Sequence, residues 1–572
     1  MTFTRRLMRA ASRLFPAFLL TMVTAVAQSP SLQQIPRDTK QTVTGTARLS
    51  GRVVAADANK ALVRAVVQLV TAGTDEPRWM WTDADGRWQF SRVPAGRYTL
   101  LISKTGYVTL RYGQLRPFEP EKPIVVGDGQ VLDRLDVALP KGAAIAGRIS
   151  DEHGSPMAGV LVSAMRYRYA DGQRRLTPVT EGLFSFLTGG AAITDDLGQY
   201  RLHGLSPGDY YVVVGLGPSA IPESQADDGV GYAPSFYPGT ISLAQAERVT
   251  LRVGQDAQNI GFAVAPIRFA TVSGTVMNSS GQPVQALNVG LNGAGPTDRA
   301  GGRGRPDGTF VVTKVAPGDY VLRVSTGVLG QQEMASLPVT VSGQDVTGLT
   351  AVLAPGGTAR GRVIFEGNPA SPPRVVIAVF PATPFDAGAS MKIAHQQSDG
   401  TFEIRELWDR QLFRSSIGDV GARPDSSQDT SGWFLKSVAV DGKDITDDGY
   451  EFKPGQNLTG IEILLSDRAT TLAGTVQDER ERPIGDYTVV AFATDSAKWG
   501  YRTRFVRSAR PDQNGKFLIK GLPPGAYHVV AVEYLEPGEE TDRARLENWR
   551  TTGSSVTLDD GEARSIALRL LR

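Results

Sequence analysis

From about residue 46 to its end, the chain alternates apolar and polar residues over short stretches. In Arg87-Trp88-Gln89-Phe90 every second residue is apolar, and Tyr98, Leu100 and Ile102 keep the same step. So do Leu132–Leu139, Ile461–Leu465 and Ile566–Leu570. A period of two gathers apolar side chains on one face of an extended chain, so each stretch predicts a half-buried β-strand. Asp-Gly, Asn-Gly and Pro-x-Gly stand between the strands. These sequences reverse the chain, because Gly, Asn and Asp tolerate positive φ and Pro pre-sets its own. Little follows a helical period. The pattern predicts an all-β chain of antiparallel sandwiches.

The strands recur in a fixed order. A short opening strand holds Gly51 in Ala47–Val53, and its counterparts hold Gly147, Gly274, Gly361 and Gly474. Intervals of roughly 90 to 130 residues suit one small domain per repeat and exceed any solenoid unit. A hairpin block follows inside each repeat, as in Thr82-Asp83-Ala84-Asp85-Gly86 and Val93-Pro94-Ala95-Gly96-Arg97-Tyr98. The block returns around Asp195-Gly198 and Pro207-Tyr210, Asp307-Gly308 and Pro317-Tyr320, and Asp512-Gly515 and Pro524-Tyr527. The fourth copy keeps Asp399-Gly400 but has Leu407-Trp408-Asp409-Arg410 in place of Pro-x-Gly, so its second turn must be built differently. The Tyr after Pro-x-Gly is placed to bury its ring and bond backbone with its hydroxyl, like the corner Tyr of immunoglobulin sandwiches. Gly-Gln or Gly-Glu precedes most closing strands. The expected boundaries are sandwiches at 46–141, 142–267 (with long insertions), 268–355, 356–467 (divergent) and 468–572.

The first 27 residues differ from this pattern. Arg5, Arg6, Arg9 and Arg13 precede an apolar run, Leu14–Ala27, that ends in Ala25-Val26-Ala27. A basic start, a short apolar core and small residues at the end describe a secretory signal peptide at 1–27. The alternative, an uncleaved anchor, needs about 20 apolar residues, and Pro16 interrupts this shorter run. Residues 28–45 are polar and aperiodic and read as a flexible leader. The chain is therefore expected in the periplasm, on the outer surface or outside the cell, with no transmembrane span after cleavage.

Composition narrows the chemistry. The 572 residues include no Cys and four His, with a net charge of +2 that becomes −2 once the signal is removed. Absent Cys excludes disulfides, a thiol nucleophile and Cys-ligated metal. Near neutrality offers no basic field for nucleic acid. Around His153, His203, His395 and His528 the third residue onward is Pro156, Ser206, Ser398 and Ala531, never Glu, and His-Glu-x-x-His is absent. No Gly-x-Ser-x-Gly elbow occurs. Gly301-Gly302-Arg303-Gly304-Arg305 lacks the lysine of a phosphate loop and reads as a loop before a hairpin. Asp83–Gly86 and Asp444–Gly449 resemble the start of a calcium loop without its distal Glu, and turn chemistry suffices for the former. No metal and no cofactor is expected.

The order S/A-G-x-V, D-x-x-G-x-F/Y, P-x-G-x-Y resembles the carboxypeptidase regulatory-like domain. Tyr232–Thr240, Gly432–Val438, and Leu522–Tyr527 with Tyr534–Glu539 are similar to secreted bacterial proteins built from such modules. The resemblance implies prealbumin-like, Ig-like sandwiches of about seven strands. In carboxypeptidases the module sits beside a catalytic domain, and that domain is missing here.

Binding candidates are aromatic. Trp79 and Trp81 share one strand face by the period of two; they suit stacking on sugar rings, or a sandwich core with one edge Trp. Tyr167, Tyr169, Tyr232, Phe236 and Tyr237 lie in the second repeat's insertions, either as an exposed patch or packed onto their own sandwich. Arg166, Arg168, Arg174 and Arg175 read as a solvated basic loop. The expected function is that of a non-catalytic exported envelope protein, a multi-domain rod that binds protein or glycan. The alternatives are a dedicated carbohydrate-binding protein for polysaccharide capture or uptake, and an enzyme whose site no motif reveals.

Overall fold

A computed structural model describes residues 45–71, 78–116, 118–170, 173–179, 190–215, 229–286, 288–293, 295, 297–326, 332–367, 369, 372–382, 391–417 and 432–571. The expected signal peptide, and the leader up to residue 44, lie outside these residues. The regular structure of the described residues is almost entirely β-strand. Its opening strands are Ala47–Ala55, Ala143–Ser150, Ala270–Met277, Gly357–Phe365 and Thr471–Gln477. Each pairs antiparallel with the strand that leaves the Asp-Gly-type hairpin and parallel with the closing strand. A second antiparallel pair lies opposite, for example Val66–Thr71 with Gly96–Ser103 and Thr488–Ala493 with Gly525–Val532. Apolar faces meet in five principal clusters, drawn from residues 47–139, 143–264, 270–353, 359–465 and 472–568.

The recurring glycine has a steric cause. The closing strand's backbone runs so close that a Cβ on Gly51, Gly147, Gly274, Gly361 or Gly474 would lie 2.3, 2.1, 2.1, 2.1 or 1.8 Å from a carbonyl oxygen of Leu135, Ile260, Leu349, Ile461 or Ile566. Across the antiparallel partner the same glycines face Trp88, Tyr200, Phe310, Phe402 and Phe517, all buried. A large ring covers the space the missing side chain leaves.

The turns follow their sequence chemistry. Asp83 Oδ1 accepts from the Asp85 and Arg87 N–H groups, and Asp195 and Asp512 do the same in their hairpins. The corner hydroxyls of Tyr98, Tyr210, Tyr320 and Tyr527 donate to the carbonyls of Pro94, Ser206, Ala316 and Pro523 at 2.6–2.9 Å. In the fourth copy Gln411 Nε2 donates to the Trp408 carbonyl, and Glu406 and Asp409 take φ of 63° and 57°. An amide thus stands in for the corner phenol in a tighter turn.

Two expectations change, and one element has no counterpart among the expected strands. The stretch Arg299–Gly304 is a strand between Asn288–Gly293 and Thr309–Val315, not a loop; its glycines admit close neighbours such as the Ala286 carbonyl, 2.1 Å from a Cβ at Gly304. A short helix, Arg543–Trp549, interrupts the fifth sandwich, capped by Asp542 and anchored by buried Leu546. Finally, the sandwiches do not form an extended rod, because the fifth packs on the first, second and fourth. Arg510 and Glu119, 2% and 1% exposed, pair at 2.6 Å. Arg510 also pairs with Asp486 at 2.7 Å and donates to the Gly113 carbonyl at 2.9 Å. Arg504 holds Asp447 of the fourth sandwich through two bonds of 2.8 and 2.9 Å, and Lys436 reaches Asp560 at 2.6 Å.

Two measurements check these forces. Gly274→Ala should cost the third sandwich about 3 kcal/mol, the upper end for forced overpacking, while Gly485→Ala, whose methyl meets nothing within 4 Å, should cost under about 1 kcal/mol. Amide exchange in each variant's own opening strand reads this, and equal losses would contradict the steric cause. Arg510→Ala should weaken the docked fifth sandwich by about 3–5 kcal/mol by leaving Glu119 buried and unpaired, and the double change to Met at both positions should cost less. Faster exchange at residues 113–126 and a larger radius of gyration are expected; unchanged scattering and exchange would show that the ion pair does not hold the joint.

Candidate functional site

The insertion of the second repeat begins as a hairpin, Leu161–Ala170 with Gln173–Pro178, that sets Tyr167 opposite Leu176 and Tyr169 opposite Arg174. Leu161–Ala170 also pairs with Gly208–Gly215, which brings Tyr211 beside Tyr167; their rings meet edge to face at 5.7 Å. A cleft of about 720 Å³ opens where this hairpin meets the first and fifth sandwiches. The first sandwich supplies Arg116 and Phe118 to the wall, and the fifth supplies Tyr534, Glu536, Glu539 and Arg545.

The fifth-sandwich wall is built by Tyr534-Leu535-Glu536-Pro537-Gly538-Glu539. Leu535 is buried, the Glu539 carboxylate accepts the Glu536 N–H at 2.9 Å, and Gly538 has φ of 88°. A Cβ on Gly538 would lie 2.5 Å from the Tyr169 carbonyl oxygen. Glycine is therefore needed twice over, for the left-handed turn and for the close approach to the second sandwich.

Charge in the cleft is mostly paired. Arg166, buried rather than in a solvated loop, pairs with Glu536 at 2.8 Å and lies 3.4 Å from the Phe118 ring centroid. Arg248 pairs with Asp209 at 3.2 Å, Arg545 with Glu539, and Arg116 with Glu533. Arg174 is exposed, sits 4.8 Å over the Tyr167 ring and makes no ion pair among the described residues. Burial, then a hydrogen bond with Asp542, pushes the Tyr169 hydroxyl up. Burial, then Glu536, does the same to Tyr534. Both phenols remain protonated donors at neutral pH. Among the described residues, each carboxylate on the wall is held in an ion pair, and no His or Ser lines the cleft. The arrangement offers aromatic faces, phenol donors and paired charges to a ligand.

The other aromatic candidates are placed differently. Tyr232 and Phe236 are buried and Tyr237 packs against its own core, 5.9 Å from Phe262. They pack the insertion onto its sandwich and offer no exposed patch. The Tyr232 hydroxyl donates to Glu152 at 2.5 Å and is pushed to about 12 by burial and then by that carboxylate. Trp79 and Trp81 are 59% and 58% exposed, so neither belongs to a core. Their strand, Arg78–Trp81, lies at a sheet edge, and Met80 takes the inward position. The two rings meet at 74° with centroids 5.0 Å apart, so they do not form one flat platform. Trp88 alone of the three is core.

Among the described residues, Asp151, Glu152 and His153 form one group with metal-type donors. Asp151 Oδ1 already accepts from the His153 and Ser155 N–H groups and Glu152 accepts from Tyr232, so the group serves a turn. Asp444 likewise accepts from Thr446, and Asp447 pairs with Arg504. No helix among the described residues is long and apolar enough to cross a membrane.

Two stretches, residues 48–140 and 471–571, match the model of the carboxypeptidase regulatory-like domain, that is, the first and fifth sandwiches. No curated protein matches the chain. Among solved structures, the Bacillus anthracis TIE protein aligns over 74% of this chain and 72% of its own at 9% identity and a TM-score of 0.15. A streptococcal ancillary pilin aligns over 54% and 99% at 13% identity and a TM-score of 0.19. The RrgB pilus protein of Streptococcus pneumoniae aligns over 75% and 98% at 8% identity and a TM-score of 0.16. None of these likenesses carries a function across.

The two tryptophan environments predict opposite stability effects. Trp79→Ala and Trp81→Ala should each change stability by under about 1 kcal/mol, and Trp88→Ala should cost about 3–5 kcal/mol. Urea unfolding of the three variants checks this; a large loss from either exposed tryptophan would place it in a core after all.

Proposed function

We propose that the protein is an exported, non-catalytic envelope protein of five sandwiches, divided at the boundaries read from the repeat, that binds a protein or glycan partner in the periplasm, at the outer surface or outside the cell. The observation that carries this reading is the cleft where three sandwiches meet. It gathers Tyr167, Tyr169, Tyr211 and Tyr534 with arginines, side chains that dominate recognition surfaces because each joins a large face to a directional polar group. The match of two regions to a regulatory-like rather than a catalytic domain supports the absence of turnover.

A second reading, polysaccharide capture on the surface of the first sandwich, is favoured by the exposure of Trp79 and Trp81. Each ring offers a face for stacking on a sugar, though not a shared one.

A glycan array and pull-downs with purified envelope polysaccharide separate the two. Tyr167→Ala with Tyr534→Ala should lower binding at least tenfold if the cleft is the site. Loss with Trp79→Ala and Trp81→Ala instead would move the site to the first sandwich. Turnover by the purified chain on peptidase or glycosidase panels would sink the non-catalytic reading.

A further inference from the structure

We infer that the three-sandwich cleft takes an anionic saccharide, a chain of hexuronate-type sugars whose carboxylate meets Arg174. This rests on the cleft being the binding site, as proposed above, and adds the chemical class of its ligand.

Charge gives the sign. Among the described residues, five arginines line the cleft against three carboxylates, in a chain that is close to neutral overall. The three wall carboxylates are each taken by an arginine, and a fourth, Glu533, takes Arg116. Arg174 is left as an exposed guanidinium with no ion pair among the described residues, steadied over the Tyr167 ring at 4.8 Å. A planar fork held on an aromatic face is suited to grip a carboxylate through two parallel N–H bonds.

The lining gives the class. Among the described residues, no Leu, Ile, Val or Met side chain reaches the cleft, so they offer a peptide no aliphatic pocket for an anchor. No lysine among the described residues lines it either, and its aromatic walls exceed what a lone phosphate uses. Protonated phenols beside guanidinium groups match a ring that has C–H faces, hydroxyl edges and one negative group. At about 720 Å³ the cleft falls within the ~300–1,000 Å³ of small-ligand sites.

Titration calorimetry on the full chain tests this with tetrasaccharides of galacturonate, glucuronate and mannuronate, a neutral hexose tetrasaccharide, and an acidic peptide of equal charge. At least one uronate should bind ten times or more tighter than the neutral sugar and the peptide. Binding should fall with added salt, and R174Q should weaken it at least tenfold without altering the unfolding profile. R174K should recover only part of it, because an ammonium cannot form the parallel pair. Equal binding of the neutral sugar, or uronate binding indifferent to R174Q, overturns the inference. If the neutral sugar or the peptide binds and Tyr167→Ala abolishes it, the cleft stands as a binding site and only its ligand class falls. If no probe binds in a Tyr167-dependent way, both fall.

Discussion

Everything in this fold hangs on a close approach of backbone to backbone. In every repeat the closing strand returns beside the opening strand, and its carbonyl stands where a Cβ would be. That contact fixes the parallel pairing, and the parallel pairing fixes which face of each strand meets the second layer. The aromatic across from the glycine then has one space to fill, and it fills it in all five sandwiches. Everything else in the repeat is more tolerant. The corner Tyr is replaced by Gln411 in the fourth copy without loss of the turn, and the hairpin carboxylate stands either at the turn's first residue, where Asp83 accepts backbone N–H groups, or two residues later, where Asp307 and Asp399 accept a Thr hydroxyl.

The joints between sandwiches use a different force. Within a sandwich the core is apolar and close-packed. Between sandwiches the buried contacts include charge pairs, with Arg510 the most enclosed. Burying such a pair is costly, and Arg510 Nε has no partner, so the arrangement contributes little stability beyond what an apolar contact would give. What it supplies is selectivity. The guanidinium meets Glu119, Asp486 and the Gly113 carbonyl together only in the docked arrangement, so a slipped docking parts Arg510 from Glu119.

The repeat was legible in the sequence because its causes are local. Alternation, Asp-Gly and Pro-x-Gly act within a few residues, and so the all-β sandwich class and its recurring strand order could be read from the chain. The face of the Arg78–Trp81 strand could not be read, since alternation gives two faces and no sign; Met80 rather than the tryptophans turns inward. Arg166 resembles any loop arginine until Glu536, 370 residues away, is placed beside it. The closure that replaces the expected rod has the same origin, for no local pattern shows that Glu119 and Arg510 meet. Even so, part of the joint was visible. The Tyr534–Glu539 stretch stood out in the sequence as family-like, and it forms the cleft wall.

The two forces together explain why the cleft lies at a joint. A single sandwich of this type is closed by its own core, and its turns are used up in reversing the chain. Where the second and fifth sandwiches meet, the turn at Gly538 and the hairpin carrying Tyr169 come within contact, yet two convex bodies touching at one point leave a gap beside it. Arg166, Glu536, Arg545 and Glu539 neutralise one another along that gap, so it stays polar without a large unbalanced field. The cleft's shape therefore depends on docking, whose register the buried Arg510 selects. A ligand that spans the second and fifth sandwiches stabilises the closed arrangement by its own binding free energy, so occupancy of the cleft and integrity of the joint are thermodynamically linked.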